Sequence, residues 1–170
     1  LYTGFAVLFY YAQGFGLGRG LANPGWFFTC STITEILVRV VAGRAFDRLP
    51  KRLMLAGSLG LLVLCFLGLA LVDSQASFLG LGLLFGLGLG VAMPLVNALA
   101  FGLSEPALRS FNTNMAMQMF QGGYFLGPLL AAPLLAAGGY GLLFPVCAGL
   151  CFLAVLLVPG LGRATGHAAD

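Results

Sequence analysis

Two charged side chains stand in a stretch that has no other charge. Glu35 and Arg39 lie four residues apart in the run from Trp26 to Gly43. On a helix that spacing puts both on one face, roughly 6 Å apart along the axis. Desolvation raises a carboxylate's pKa and a neighbouring cation lowers it. A carboxylate held between those effects can change protonation with conformation, which is the chemistry of proton coupling. Glu35 is the candidate proton carrier, and Arg39 its counter-ion or a gate. A static ion pair bracing the helix is the alternative. A second constellation is Asn114, Gln118 and Gln121, at i, i+4 and i+7, which makes one amide face. Amides donate and accept, so such a face suits a hydrated cavity; hydrogen bonding between helices is the competing use. Tyr10, Gln13 and Asn97, the last close to Pro94, complete the candidate substrate cavity.

Other chemistries find no support. His167 lies in the tail, outside every apolar run, and there is no HExxH, no GxSxG and no pair of acids within an apolar run. An enzyme is not expected. Cys30, Cys65, Cys147 and Cys151 sit in apolar runs without the spacing or partners of a metal site, so buried free thiols are expected, with neither metal nor cofactor. The cluster from Gly14 to Gly20 superficially resembles a phosphate loop but lacks the GK[ST] ending and follows an apolar run rather than a strand.

The elements that must position these residues are set by composition. Of 170 residues, 60% are hydrophobic and 8% charged, and the mean hydropathy is +1.02. Soluble domains carry about 25% charged residues, so most of this chain's outer face must meet lipid. The net charge of +3 is small and no polybasic tract is present, which argues against nucleic acid. Crossing the hydrocarbon core takes about 20 apolar residues as a helix. Charges and glycines divide the chain into six candidate transmembrane helices, at 1–18, 26–43, 53–72, 77–103, 111–137 and 142–158. The turn between the last two is expected at Gly138-Gly139-Tyr140-Gly141. The fold class is therefore an all-α integral membrane bundle. The Leu-Gly alternation from Leu79 to Gly90 is not a barrel strand, which would alternate apolar with polar. As a helix it aligns Gly82, Gly86 and Gly90 in one stripe that permits close approach by a neighbour.

Loop charges give an orientation. Arg44, Arg48, Lys51, Arg52, Arg109 and Arg163 fall on one side, whereas Arg19 and Asp73 are the charges opposite. Positive residues mark the cytoplasm, so both termini of this segment are expected there, in a cell (inner or plasma) membrane. Polar residues concentrate in spans one, two, four and five, which should face a polar interior; spans three and six should face lipid. Pro94, Pro128, Pro133 and Pro145 each remove a backbone hydrogen bond and bend a helix. Leu1 opens directly on an apolar run with no basic segment before it, so the expectation is a chain cut from a longer one.

The loop after span two reads Arg39-Val-Val-Ala-Gly43-Arg44-Ala-Phe-Asp47-Arg48-Leu-Pro50-Lys51-Arg52. It resembles the signature loop of the major facilitator superfamily, R-x-x-x-G-x-x-x-D-R-x-G-R-R, with Pro50 in place of the usual second glycine. Ser104-Glu105-Pro106-Ala107-Leu108-Arg109 and Gly123-Tyr-Phe-Leu-Gly127-Pro128 resemble that family's loop between helices ten and eleven and its G-x-x-x-G-P element. The resemblance covers essentially the whole chain and implies helices seven to twelve of a twelve-helix secondary transporter. Such a transporter works by alternating access around a midplane site. Its partners would be the bilayer, an N-terminal six-helix half and a small-molecule substrate. In the signature loop, Gly43 would permit close helix approach and Asp47 would sit at a helix N-terminus. Arg44, Arg48, Lys51 and Arg52 would anchor the loop at anionic headgroups. The look is closest to sugar-efflux and drug-efflux branches, so proton-coupled efflux is the expected activity. A complete six-helix carrier acting as a homodimer, and a non-transporting scaffold or receptor, are the alternatives.

Overall fold

The computed structural model describes residues 1–41 and 49–162. Among these residues it is all helical: α1 (Tyr2–Gly18), α2 (Trp26–Val41), α3 (Lys51–Ala70), α4 (Gln75–Gly102) and α5 (Arg109–Leu157), with short 3-10 turns at Pro106–Leu108 and Val158–Gly162. Several boundaries have a local cause. Pro50, with extended backbone, stands immediately before α3, as suits a residue that cannot follow within a helix. Ser74 opens α4 through a capping box: it accepts from the Ser77 backbone N–H, and the Ser77 hydroxyl accepts from the Ser74 N–H. Arg19 closes the far end of α1, donating to the Val72 carbonyl at 2.9 Å while its guanidinium lies 5.4 Å over the Phe15 ring.

The last two expected spans are joined in α5, of 49 residues, as two helical limbs that meet at a kink. Its backbone leaves helical geometry at Gly139, where φ is 63° and ψ −157°, a region essentially reserved for glycine. The neighbours of the two limbs show what happens there. Gly123 seats on Tyr2 and Gly127 on Ala6, whereas Phe144 packs on Phe15 and Cys151 approaches Gly4. The first limb therefore rises along α1 and the second descends along it. Among the described residues, three helical stretches are long and apolar enough to cross a membrane: Lys51–Ala70, Gln75–Gly102 and Pro106–Gly160. The third of these stretches holds both limbs of α5, and α1 and α2 have 17 and 16 residues.

The core joins all five helices. Phe15, Phe27, Phe66, Phe78, Phe85 and Phe144 are its largest fully buried side chains. The glycine stripe of α4 lies against the backbone of α2. A Cβ on Gly82 would be 2.8 Å from the Phe27 carbonyl oxygen, one on Gly90 would be 3.2 Å from the Glu35 Cα, and one on Gly86 would enter the Ser31 carbonyl. These contacts fix the register of α2, whose fully buried residues are Phe27 and Ser31 alone. Cys65, Cys147 and Cys151 are buried, Cys30 is half-buried, and all four are free thiols.

Candidate substrate and proton site

The α2–α4 contact carries Glu35 and Arg39 to their positions. The Arg39 guanidinium donates to the Glu35 carboxylate in an i, i+4 ion pair. The carboxylate is the more sheltered partner, at 21% exposure against 47% for the guanidinium. Because Gly90 rests on Glu35, the next turn of α4 places Pro94 and then Asn97 beside Arg39. The result is a cavity of about 310 Å³ lined by Tyr2, Arg39, Met93, Pro94, Asn97, Met117 and Phe120. Four helices, α1, α2, α4 and α5, contribute to it. The Asn97 side-chain oxygen is buried there without a hydrogen-bond partner. Buried polar groups are almost always paired, and among the described residues this acceptor has no partner.

The remaining candidates separate. Gln13 lines a different cavity, of about 390 Å³, at the α1–α2 turn with Asn23, Trp26 and Thr29. Tyr10 lines an open groove of about 740 Å³ between α1 and the first limb of α5, with Tyr124, Phe125 and Pro128. Asn114, Gln118 and Gln121 share an exposed stripe of α5. Lys51 and Arg52 are exposed at the start of α3, while Gly43, Arg44, Asp47 and Arg48 lie outside the described residues. Several polar side chains of the apolar runs are satisfied within their own helix: Thr34 donates to the Cys30 carbonyl at 2.8 Å, and Ser58 to the Leu55 carbonyl at 2.9 Å. Asn112 donates to the Ser104 hydroxyl at 2.8 Å across the α4–α5 connection.

Sequence reasoning missed the aromatic wall. Tyr2 meets Phe120 edge-on at 5.3 Å, Phe120 meets Tyr124 at 4.9 Å, and Tyr124 meets Phe9 at 5.8 Å and Tyr10 at 6.2 Å. Phe9 in turn meets Phe28 of α2 at 5.8 Å. The wall runs from the Arg39 cavity to the Tyr10 groove without a break. Its signal was the i, i+4 pairing of Phe5 with Phe9 and of Phe120 with Tyr124, hidden in a chain already 12% aromatic.

The sequence pattern of the Major Facilitator Superfamily matches residues 1–168. The chain belongs to that superfamily. It is 31% identical over 127 residues to the 3-(3-hydroxy-phenyl)propionate transporter of Escherichia coli (strain K12). That alignment covers 75% of this chain and 30% of the relative, so the chain spans about a third of that transporter's length. As a major facilitator protein the chain is a multi-pass membrane protein of a transporter family rather than an enzyme.

Proposed function

We propose that this chain forms one half, helices seven to twelve, of a secondary active transporter that moves a small solute through the cell membrane by alternating access. In this reading α1, α2, α3, α4 and the two limbs of α5 each cross the bilayer, with both ends of the segment cytoplasmic. An N-terminal six-helix half covers the exposed polar and aromatic face. Glu35 carries the coupling proton, Arg39 holds it in register, and Asn97, Tyr10, Gln13, Asn114, Gln118 and Gln121 contribute to solute passage. The observation that carries the proposal is the convergence of four helices on one cavity at an ion pair. Ionised groups within a membrane are costly and persist where a pathway uses them.

Proton-coupled efflux is the first direction to test. A second reading rests on a specific feature: the ionised side chain that lines the cavity is Arg39, not Glu35. A guanidinium facing the solute suits an anion carried together with a proton.

The test is Glu35→Gln in the natural protein, reconstituted in vesicles. Transport driven by a pH gradient should be lost, while solute counterflow without a gradient persists. Driven transport at the wild-type rate would remove Glu35 from the coupling role. The sign of the driven flux relative to the gradient separates efflux from uptake.

A further inference from the structure

We infer that the solute is an organic anion built on an aromatic ring, with its ring on the wall from Tyr2 to Tyr124 and its anionic group at Arg39. This rests on the transport reading above and adds the class of solute.

The ring half of the inference comes from where the aromatic residues are left uncovered. The core phenylalanines Phe15, Phe27, Phe78 and Phe85 are at most 1% exposed. Phe9 and Tyr10 are 50% and 53% exposed, although they belong to the same edge-to-face network as Tyr124 and Phe120. Aliphatic side chains are enough to face lipid. A bank of rings from α1, α2 and α5 bordering a cavity and a groove offers faces and edges for one more ring, worth about 0.5–1.5 kcal/mol beyond its area. The cavity of about 310 Å³ and the groove of about 740 Å³ fall in the size range of small-molecule sites, roughly 300–1,000 Å³.

The anion half comes from the polar end of the same wall. Phe120 and Tyr2 belong both to the wall and to the Arg39 cavity. A guanidinium carries five donors in a planar fork that matches a carboxylate, and the Arg39 side chain remains 47% exposed after its bond to Glu35. Charge balance then sets the coupling. With Glu35 ionised, the pair is neutral and a bound anion adds an uncompensated charge. With a proton from bulk water on the Glu35 carboxylate, Arg39 and the anion neutralise each other. Among the described residues, the titratable and charged groups on this cavity are Arg39 from α2 and the Tyr2 phenol from α1. The facing surface of α4 offers Asn97 and the backbone at Gly90, and that of α5 offers Met117 and Phe120. Among the described residues that line the cavity there is no acid. One solute anion therefore moves with one proton.

The experiment is ligand-induced thermal stabilisation of the purified natural protein by three probes: phenylacetate, cyclohexylacetate and phenethylamine. Phenylacetate should bind about threefold to tenfold more tightly than cyclohexylacetate, the worth of one stacked ring, and phenethylamine should not compete. Tyr124→Leu should erase the preference for the ring while Tyr124→Phe keeps it, and Arg39→Lys should weaken both acids together. Equal binding of the two acids, preference for the amine, or binding of none of the three overturns the inference. The Glu35→Gln vesicle assay separates this from failure of the transport reading. Glu35-dependent, proton-driven flux of aliphatic or cationic solutes would leave transport standing and remove the aromatic anion.

Discussion

Replacing Gly86 by alanine should separate α2 from α4. Gly82, Gly86 and Gly90 meet Phe27, Ser31 and Glu35 in matching four-residue steps, so the two helices touch backbone to backbone over two turns. At Gly86 the added Cβ would meet the Ser31 carbonyl. A backbone atom cannot rotate aside, so α2 itself must move. Overpacking of this kind costs about 1–3 kcal/mol, and the upper end applies because no side chain can relieve it. Alanine is intrinsically better in a helix by about 1 kcal/mol, which leaves a net loss of about 2 kcal/mol. At about 2–4 °C per kcal/mol for chains of 150–250 residues, unfolding in detergent should fall by roughly 4–8 °C. The control lies on the same helix: a Cβ on Gly80 meets nothing within 4 Å, so Gly80→Ala should be neutral or slightly stabilising. Because α2 carries Glu35 and Arg39, Gly86→Ala should also slow solute exchange. If Gly86→Ala unfolds at the same temperature as Gly80→Ala, the two backbones are not in contact and the placement of the ion pair beside Asn97 fails with them.

Three further perturbations follow from the ends of the helices and the kink in α5. Gly139→Ala forces a side chain into a conformation with φ of 63° and ψ of −157°, at a strain of about 1–3 kcal/mol; Gly141→Ala, with open space around it, should be harmless, and thermal unfolding distinguishes the two. Arg19→Ala removes the donor to the Val72 carbonyl and the stack on Phe15, a loss of about 1 kcal/mol after allowing for its partial exposure. Asp73→Ala should change stability by less than about 0.5 kcal/mol, because its carboxylate is 91% exposed at 3.7 Å from Arg19, and raising the salt concentration should leave both results in place.

The all-helical class was legible because apolar residues run unbroken for longer than strands need while charge is confined to the gaps. The ion pair was legible for the same reason that it forms: i, i+4 spacing is a property of one helix, and Arg39 does donate to Glu35. The reversal in the last apolar stretch falls at Gly139. Glycines at 138, 139 and 141 marked it, and the positive φ of Gly139 turns the chain between two helical limbs. The polar residues do not all share one depression. Thr34 and Ser58 satisfy themselves on their own helix, and Gln13, Tyr10 and Asn97 line three separate depressions. A list of polar residues ranks candidates without saying which of them meet.

Which residues meet is decided by the glycines, and that information was present in the chain. Gly123 seats on Tyr2 and Gly127 on Ala6 and Thr3, which fixes the first limb of α5 against α1. Phe120, one turn before Gly123, is then obliged to lie beside Tyr2, and Tyr124, one residue after it, beside Phe5 and Phe9. Gly90 seats on Glu35, so the turn of α4 that follows must pass Arg39, and Pro94 and Asn97 are the residues it presents there. The aromatic wall and the charged cavity are thus consequences of two small-residue contacts rather than of the polar residues themselves. In lipid this is the expected order of causes. Apolar side chains gain nothing by leaving one hydrocarbon for another, so close backbone approach decides helix pairing, and the functional side chains occupy the positions that the pairing leaves open.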